Sequence, residues 1–382
     1  MATQTNKSVK ALRKFVKKQT KGLEDVESSL NPFSLFEQLI EKWDYRECDS
    51  IPIPSFRFYD EVKVKGNRVK IRHIGVPNES MRALHPLFQT FIEEACARGG
   101  NKLSYFVNLP SSAAFVKEKT PIQNVIRHQN GQYFYIVDIT EAYDSVNMDL
   151  FVVLLTTILR YDTYKTEFDA FIRKLTKFGI FDEELLYPVL LDPLAGYVQK
   201  FVNLSCKGLH GGLVTGAPSS PYLFNVYCEI LIDRSLRYEC GSYDGRRILY
   251  SRYADDLVFS DVKPFWDYIR EALRKRITSS GLRINHRKVK KLYKKQGTVF
   301  VTNTGIKRDE GIAFSQKKRR HLRGMIHNYF VLGNVLPAEV AGHIAHFKDY
   351  LNHCEPNKSD LKLWKYCKKF EETRARLALL TH

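Results

Sequence analysis

The stretch Arg252-Tyr253-Ala254-Asp255-Asp256-Leu257-Val258-Phe259-Ser260 constrains this chain most, because it sets two adjacent carboxylates between apolar residues of strand-forming type. Ile248, Leu249 and Tyr250 lead in and Leu257, Val258 and Phe259 lead out. β-Branched and aromatic residues on both sides of a polar tip predict two paired strands with the acids at the turn. Neighbouring carboxylates repel one another, and a divalent cation that takes oxygen ligands relieves the repulsion. The plainer reading of such a pair is a solvated turn.

A second acid stands in a matching setting, at the end of Tyr133-Phe134-Tyr135-Ile136-Val137-Asp138. An unpaired buried carboxylate is costly, so Asp138 is expected to project towards water or a metal. Two acid-tipped strands on one sheet would hold two metal ions, the arrangement that stabilises both the attacking and the leaving oxygen of a phosphoryl displacement. That chemistry is nucleotidyl transfer.

Tyr253-Ala254-Asp255-Asp256, preceded by Asp138-Ile139-Thr140-Glu141-Ala142-Tyr143 and by Gly216-Ala217-Pro218-Ser219-Ser220-Pro221, resembles the palm motifs of reverse transcriptases. Arg72-His73-Ile74-Gly75-Val76-Pro77 resembles the fingers motif of the bacterial retron and defence-associated branches. Asn124-Val125-Ile126-Arg127-His128 is similar to the Asn-Ala-x-x-His element of retron enzymes, with Val in place of Ala. The resemblance runs from near residue 60 to near residue 330.

The resemblance implies an α+β right-hand polymerase with fingers, an antiparallel palm sheet and a short helical thumb. Residues 1–50 are expected to form a basic helical extension, 51–137 the fingers, 138–314 the palm with interleaved fingers helices, and 315–382 the thumb. It implies catalytic roles for Asp138, Asp255, Asp256 and Lys288. Two Mg²⁺ ions, replaceable by Mn²⁺, would be held by Asp138, Ile139, Asp255 and Asp256. Arg72, Lys65, Tyr143, Thr215 and Gly216 would bind the incoming nucleotide. Arg72 is suited to the triphosphate because a guanidinium engages phosphate oxygens in a bidentate way. The Tyr143 ring would clash with a ribose 2′-hydroxyl and so select deoxynucleotides, although Asp144 stands where RNA polymerases carry a second acid. Lys288 would protonate departing pyrophosphate. It sits among many basic residues between Arg283 and Lys295, so a phosphate-contacting patch is an equal reading.

Several departures from the family pattern carry expectations of their own. Leu213-Val214-Thr215-Gly216 stands where the family reads Leu-Pro-Gln-Gly, which points to unusual fidelity, primer use or template dependence. Val301-Thr302-Asn303-Thr304-Gly305 contains inserted residues relative to the Val-Thr-Gly of retron enzymes and sets the chain apart from strict retrons. Gly208, Gly211, Gly212 and Gly216 are expected to let backbone approach a template or primer strand. Ser220 is expected to cap a helix that has Pro221 in its first turn.

Residues 115–128 are expected to carry template contacts, with His128 open to a structural role at a helix end. Val62, Val64, Val69 and Ile71 alternate around Gly66-Asn67 and predict a hairpin. Ser315 is expected to open the thumb, with Lys317, Lys318, Arg319, Arg320 and Arg323 binding an RNA–DNA hybrid by its shape. His343, His346, His353 and Cys354 have zinc-ligand chemistry in a spacing that no known zinc motif shares, and surface histidines explain them better.

Composition narrows the partner class. Sixty Lys and Arg against 42 Asp and Glu, a formal charge of +18, make a polyanion the leading partner. Seven cysteines without a Cys-x-x-Cys pair argue against a disulfide framework and for a reducing compartment. No apolar run approaches a spanning helix or a signal peptide, so a cytoplasmic protein without membrane contact is expected. The resulting reading is an RNA-directed DNA polymerase that copies a structured non-coding RNA from deoxynucleoside triphosphates, in bacterial antiviral defence. An effector protein and homo-oligomers are compatible partners. The alternatives are an untemplated or protein-primed DNA polymerase and a catalytically vestigial RNA-binding scaffold.

Overall fold

A computed structural model describes residues 55–380, apart from 66–67, 99–102, 179–181, 310 and 334–335. The expected basic helix of residues 1–50 and the tip at Gly66-Asn67 lie outside the described residues.

Alternation of apolar and charged residues makes β1 (Phe56–Lys65) and β2 (Arg68–Pro77) an antiparallel pair in which Val62 faces Ile71 and Glu61 faces Arg72. Helix α1 (Glu79–Arg98) follows and buries Met81, Phe88 and Ile92. A short helix, α2 (Ser104–Asn108), leads to α3 (Pro121–Arg127). Thr120 and Gln123 close α3 at its start with a reciprocal capping box, and Pro121 adds a preset φ.

Strand β3 (Tyr133–Asp138) explains how the molecule is layered. Successive side chains of a strand point to opposite faces. Tyr135 and Val137 enter one apolar core with Leu257 and Phe259, while Phe134 and Ile136 enter a second with Val258. A strand clad on both faces reads as a continuous apolar run, and this one does. The four-stranded sheet has the order β4-β5-β3-β6, with β4 (Leu249–Tyr253), β5 (Asp256–Asp261) and β6 (Lys290–Tyr293) all antiparallel to their neighbours. The expected fingers–palm division at 137/138 therefore falls at the last residue of a strand whose whole ladder belongs to this sheet.

Helices fill the first core. They are α4 (Met148–Leu159), α5 (Tyr161–Arg173), α6 (Pro193–Ser205), α7 (Ser220–Cys228), α8 (Arg234–Ser242) and α9 (Trp266–Ser279). Helix α5 kinks at Tyr164 and runs on into the wider turn Lys174–Phe178. The start of α7 differs from expectation. Ser219, not Ser220, is the N-cap, and its hydroxyl does not cap: it hydrogen-bonds His85 of α1.

The second core joins the other face of the sheet to β7 (Val299–Val301), β8 (Thr304–Ile306), β9 (Ile312–Phe314) and three helices. These are α10 (Gln316–Val331), α11 (Pro337–Leu351) and α12 (Lys358–Leu380). The inserted Thr302-Asn303 form the two-residue turn between β7 and β8, and both have positive φ, as a tight hairpin turn requires. The architecture is α+β, and the three sheets among the described residues are antiparallel. No helix among the described residues is long and apolar enough to cross a membrane.

Candidate active site

The register of the central sheet brings the three acids together. On adjacent antiparallel strands Asp138 lies directly opposite Asp256. Asp255 occupies the β4–β5 turn, where Ala254 takes a left-handed φ of 54°. The Ile139 N–H donates to the Asp255 carbonyl at 2.9 Å, which stitches the end of β3 to that turn. Asp138 is buried, and Asp255 and Asp256 are half-buried. Burial, then the charges of Asp255 and Asp138, pushes the Asp256 carboxyl up to about 6. Asp255 is raised as well, chiefly by burial and then by Asp138, against the opposing pull of Lys288 and Lys70.

Asp138 is satisfied from the far side of the sheet. Lys288 ends the 3₁₀ turn His286–Lys288 and places Nζ 2.6 Å from Asp138 Oδ1. Asn285 Nδ2 donates to Asp138 Oδ2 at 3.1 Å, and the Asn285 N–H donates to the Asp138 carbonyl at 2.8 Å. Among the described residues no three His, Cys, Asp or Glu side chains stand as a ready metal-binding set. The physical reason is local: Lys288 and Asn285 engage the Asp138 carboxylate. The donor chemistry nevertheless fits a hard divalent cation: the register sets Asp138 opposite Asp256 with Asp255 at the adjoining turn, and all three offer carboxylate oxygens.

Tyr143 lies on the turn after β3. Its ring meets Phe224 edge-on, with centroids 5.3 Å apart, and burial, with a smaller push from Asp255, raises its hydroxyl to about 12. The segment 212–216 packs on this turn and on the β1–β2 hairpin. Leu213 N–H donates to the Tyr143 carbonyl at 2.8 Å, and Gly75 N–H donates to the Thr215 carbonyl at 2.8 Å. A Cβ on Gly212 would lie 2.2 Å from the Tyr143 carbonyl oxygen, and one on Gly216, whose φ is +105°, 2.5 Å from that of Gly75. These two glycines thus serve close approach within the protein.

Arg72 is exposed on β2 and contacts Glu61 at 3.5 Å, not the acids. Lys65 lies at the far end of the hairpin, its backbone paired with Arg68. Lys70, on the same strand face as Arg72, is the hairpin residue whose charge acts on Asp255.

His128 is buried, and its two ring nitrogens hydrogen-bond Ser260 and Ser251, each at 2.7 Å. Burial drives it down to about 3, so it is a neutral tie between β5 and β4 and unavailable to template.

The cations of α10 divide. Lys317, Arg320 and Arg323 are exposed. Arg319 is not a nucleic-acid contact: it is buried in an ion pair with Asp360, Nη2 to Oδ1 at 2.7 Å. Lys318 also turns inward, donating to His346 Nε2 at 2.8 Å over the Phe314 ring. His353 stands 3.6 Å from Asp349.

Sequence reasoning missed Asn285, which grips Asp138, and Arg252, the largest fully buried side chain, paired with Asp233 of the segment Glu229–Asp233. An Arg next to an acid turn inside an apolar strand was the available signal for the second. Asn285 carried no signal beyond its place before Lys288.

The family described as reverse transcriptase (RNA-dependent DNA polymerase) matches residues 63–321. The retron Ec86 reverse transcriptase of Escherichia coli is 24% identical over 322 residues, covering 83% of this chain and 82% of that protein. The retron Ec73 reverse transcriptase of Escherichia coli is 23% identical over 260 residues, 65% of this chain and 73% of that protein. Among solved structures, telomerase from Candida albicans aligns with a TM-score of 0.45 at 11% identity over 88% of this chain, which spans 62% of that one. With the match covering most of its length and the acid-tipped sheet in place, the chain belongs to the reverse transcriptase family of RNA-directed DNA polymerases.

Proposed function

We propose that this reverse transcriptase copies a structured non-coding RNA into DNA by two-metal nucleotidyl transfer, in bacterial antiviral defence. The register that sets Asp138 opposite Asp256, with Asp255 at the adjoining turn, carries the chemical part of this reading. The retron relatives and the basic charge support the rest. In this reading residues 51–137, with β3 assigned to the sheet, act as fingers, 138–314 as palm and 315–382 as thumb.

Asp138, Asp255, Asp256 and the main chain at Ile139 would hold two Mg²⁺ or Mn²⁺ ions, which supply charge neutralisation at the primer hydroxyl and the triphosphate. Lys288, whose ammonium lies 2.6 Å from Asp138, is the group that would donate a proton to the departing pyrophosphate. Asn285 keeps Asp138 oriented through both its side chain and its N–H. Arg72 and Lys70 reach phosphate oxygens from the hairpin. Tyr143, braced by Phe224 and by the segment 212–216, closes the space a 2′-hydroxyl would need. Thr215 and Gly216 place the hairpin over that space. Lys317, Arg320 and Arg323 follow the hybrid backbone.

The test is to purify the protein with its co-purifying RNA, add Mg²⁺ and labelled deoxynucleotides, and sequence any product beside an Asp255→Ala, Asp256→Ala control. DNA complementary to one RNA, absent from the control, supports the proposal. Homopolymeric DNA would point to untemplated synthesis, and RNA-bound protein that makes no DNA to a scaffold.

A further inference from the structure

Arg252 precedes the acid turn by two residues, yet it is wholly buried and faces away from the acids. Its guanidinium hydrogen-bonds a carboxylate, a side-chain amide and a backbone carbonyl. Nε and Nη2 clamp the Asp233 carboxylate, with Nη2 to Oδ2 at 2.8 Å. Nη1 donates to Asn225 Oδ1 and to the Ala254 carbonyl, both at 3.0 Å. The plane also lies over Phe224, its carbon 5.5 Å from the ring centroid, and Phe224 is the ring that meets Tyr143.

The surrounding groups hold this side chain in place. Tyr250 Oη donates to Asp233 Oδ1 at 2.6 Å. Ser112 Oγ donates to Asn225 Oδ1 at 3.0 Å, and Asn225 Nδ2 donates to the Ala114 carbonyl at 2.9 Å. The Arg252 backbone pairs with the same loop, accepting from Ala113 N–H and donating to the Ser111 carbonyl, each at 2.8 Å.

Simple burial does not explain this arrangement. A buried ion pair seldom adds net stability over well-packed apolar residues, because desolvation offsets the attraction. A non-glycine residue at positive φ such as Ala254 persists where its surroundings over-determine it. The bond from Arg252 to the Ala254 carbonyl fixes the peptide that joins Ala254 to Asp255.

We infer that Arg252, clamped by Asp233, is a positioning residue that sets the Asp255 turn and, through Phe224, the Tyr143 gate. One guanidinium thus couples metal-ligand geometry to nucleotide selection. A planar fork can serve a carboxylate, an amide and a carbonyl at once, and an ammonium cannot. This inference rests on the reading that Asp255 and Asp256 hold metal.

The experiment uses the full chain in two variants. Arg252→Lys keeps the charge against Asp233, and Arg252→Met with Asp233→Leu and Tyr250→Phe replaces the pair and its dependent hydroxyl by apolar groups. Each is measured for Mn²⁺ half-saturation without nucleotide, for thermal unfolding, and for kcat, KM and deoxynucleotide preference. The expected result is a folded protein with Mn²⁺ half-saturation raised severalfold, kcat lowered at least tenfold and preference reduced. Wild-type values in either folded variant overturn the inference, and so does loss of the fold in both, which would make the pair structural only. Asp255→Asn separates the underlying reading: if it binds Mn²⁺ as wild type does, the metal assignment itself fails.

Discussion

Lys288 Nζ sits 2.6 Å from Asp138 Oδ1, so the ammonium engages one of the oxygens proposed to hold metal. An ammonium and a divalent cation then compete for one oxygen set. Removing the ammonium as Lys288→Met is expected to lower the Mn²⁺ concentration for half-saturation while cutting turnover about 10²-fold, the range typical of a lost general acid. Titration of Mn²⁺ binding beside single-turnover kinetics reads both. A loss confined to KM would instead mark Lys288 as one member of the basic patch.

Burial, and after it the charges of Asp255 and Asp138, pushes the Asp256 carboxyl up from its ordinary 3.8 to about 6. Between those values the folded chain binds more protons than the unfolded one, so the contribution of this group to stability falls as pH rises from about 4 to about 6. Asp256→Asn is therefore expected to melt higher than wild type above pH 6 without metal, with little difference at pH 4. Added Mg²⁺ raises the wild-type melting temperature at pH 7.5 and not that of the variant. Calorimetric scans at the two pH values, with and without Mg²⁺, check the sign.

The legible parts of this site were those written locally in the chain. Asp138 and Asp255-Asp256 each follow or split an apolar strand, and strand pairing then places Asp138 against Asp256 with little freedom. The phase of Arg319 was legible too, because it shares a helix face with Leu322 and Ile326, both buried. What decided its fate was Asp360, far along the chain on another helix. Such long-range pairings leave no local trace. The bonds from Arg252 to Asp233 and from Ser219 to His85 are of the same kind, each joining elements whose spacing reveals only their apolar faces. Gly212 and Gly216 were legible only as far as a close approach, since a glycine does not name the group that approaches, here the Tyr143 and Gly75 carbonyls.

Tyr143 meets Phe224 edge-on, and its backbone carbonyl accepts from the Leu213 N–H, so the ring has a packing partner and the main chain that carries it is tied to the segment 212–216. Selection by such a ring depends on its volume. Tyr143→Ala is expected to reduce the preference for deoxynucleotides over ribonucleotides by about 10- to 100-fold, as removal of a steric contact does elsewhere. Tyr143→Phe is expected to keep it. Competing incorporation of the two nucleotide types, read as a ratio of kcat/KM, distinguishes the variants. Equal ratios in Ala and wild type would assign the ring to packing alone.

The cations of α10 offer a contrast within one helix. Arg319 is buried against Asp360, whose other oxygen is 3.2 Å from the Asn357 N–H, so the carboxylate is committed to the start of α12. Removing one partner leaves a buried charge unpaired, and Arg319→Ala is expected to cost about 3–5 kcal/mol. Lys317, Arg320 and Arg323 project into solvent from the same helix. Alanine at each of these is expected to leave the melting temperature unchanged, weaken binding of an RNA–DNA hybrid, and reduce the slope of log affinity against log salt by about one. Thermal unfolding together with hybrid binding at several salt concentrations separates the two classes. If Arg319→Ala melts like wild type but binds the hybrid with a shallower salt slope, the side chain leaves Asp360 for phosphate, and the division drawn along α10 is wrong.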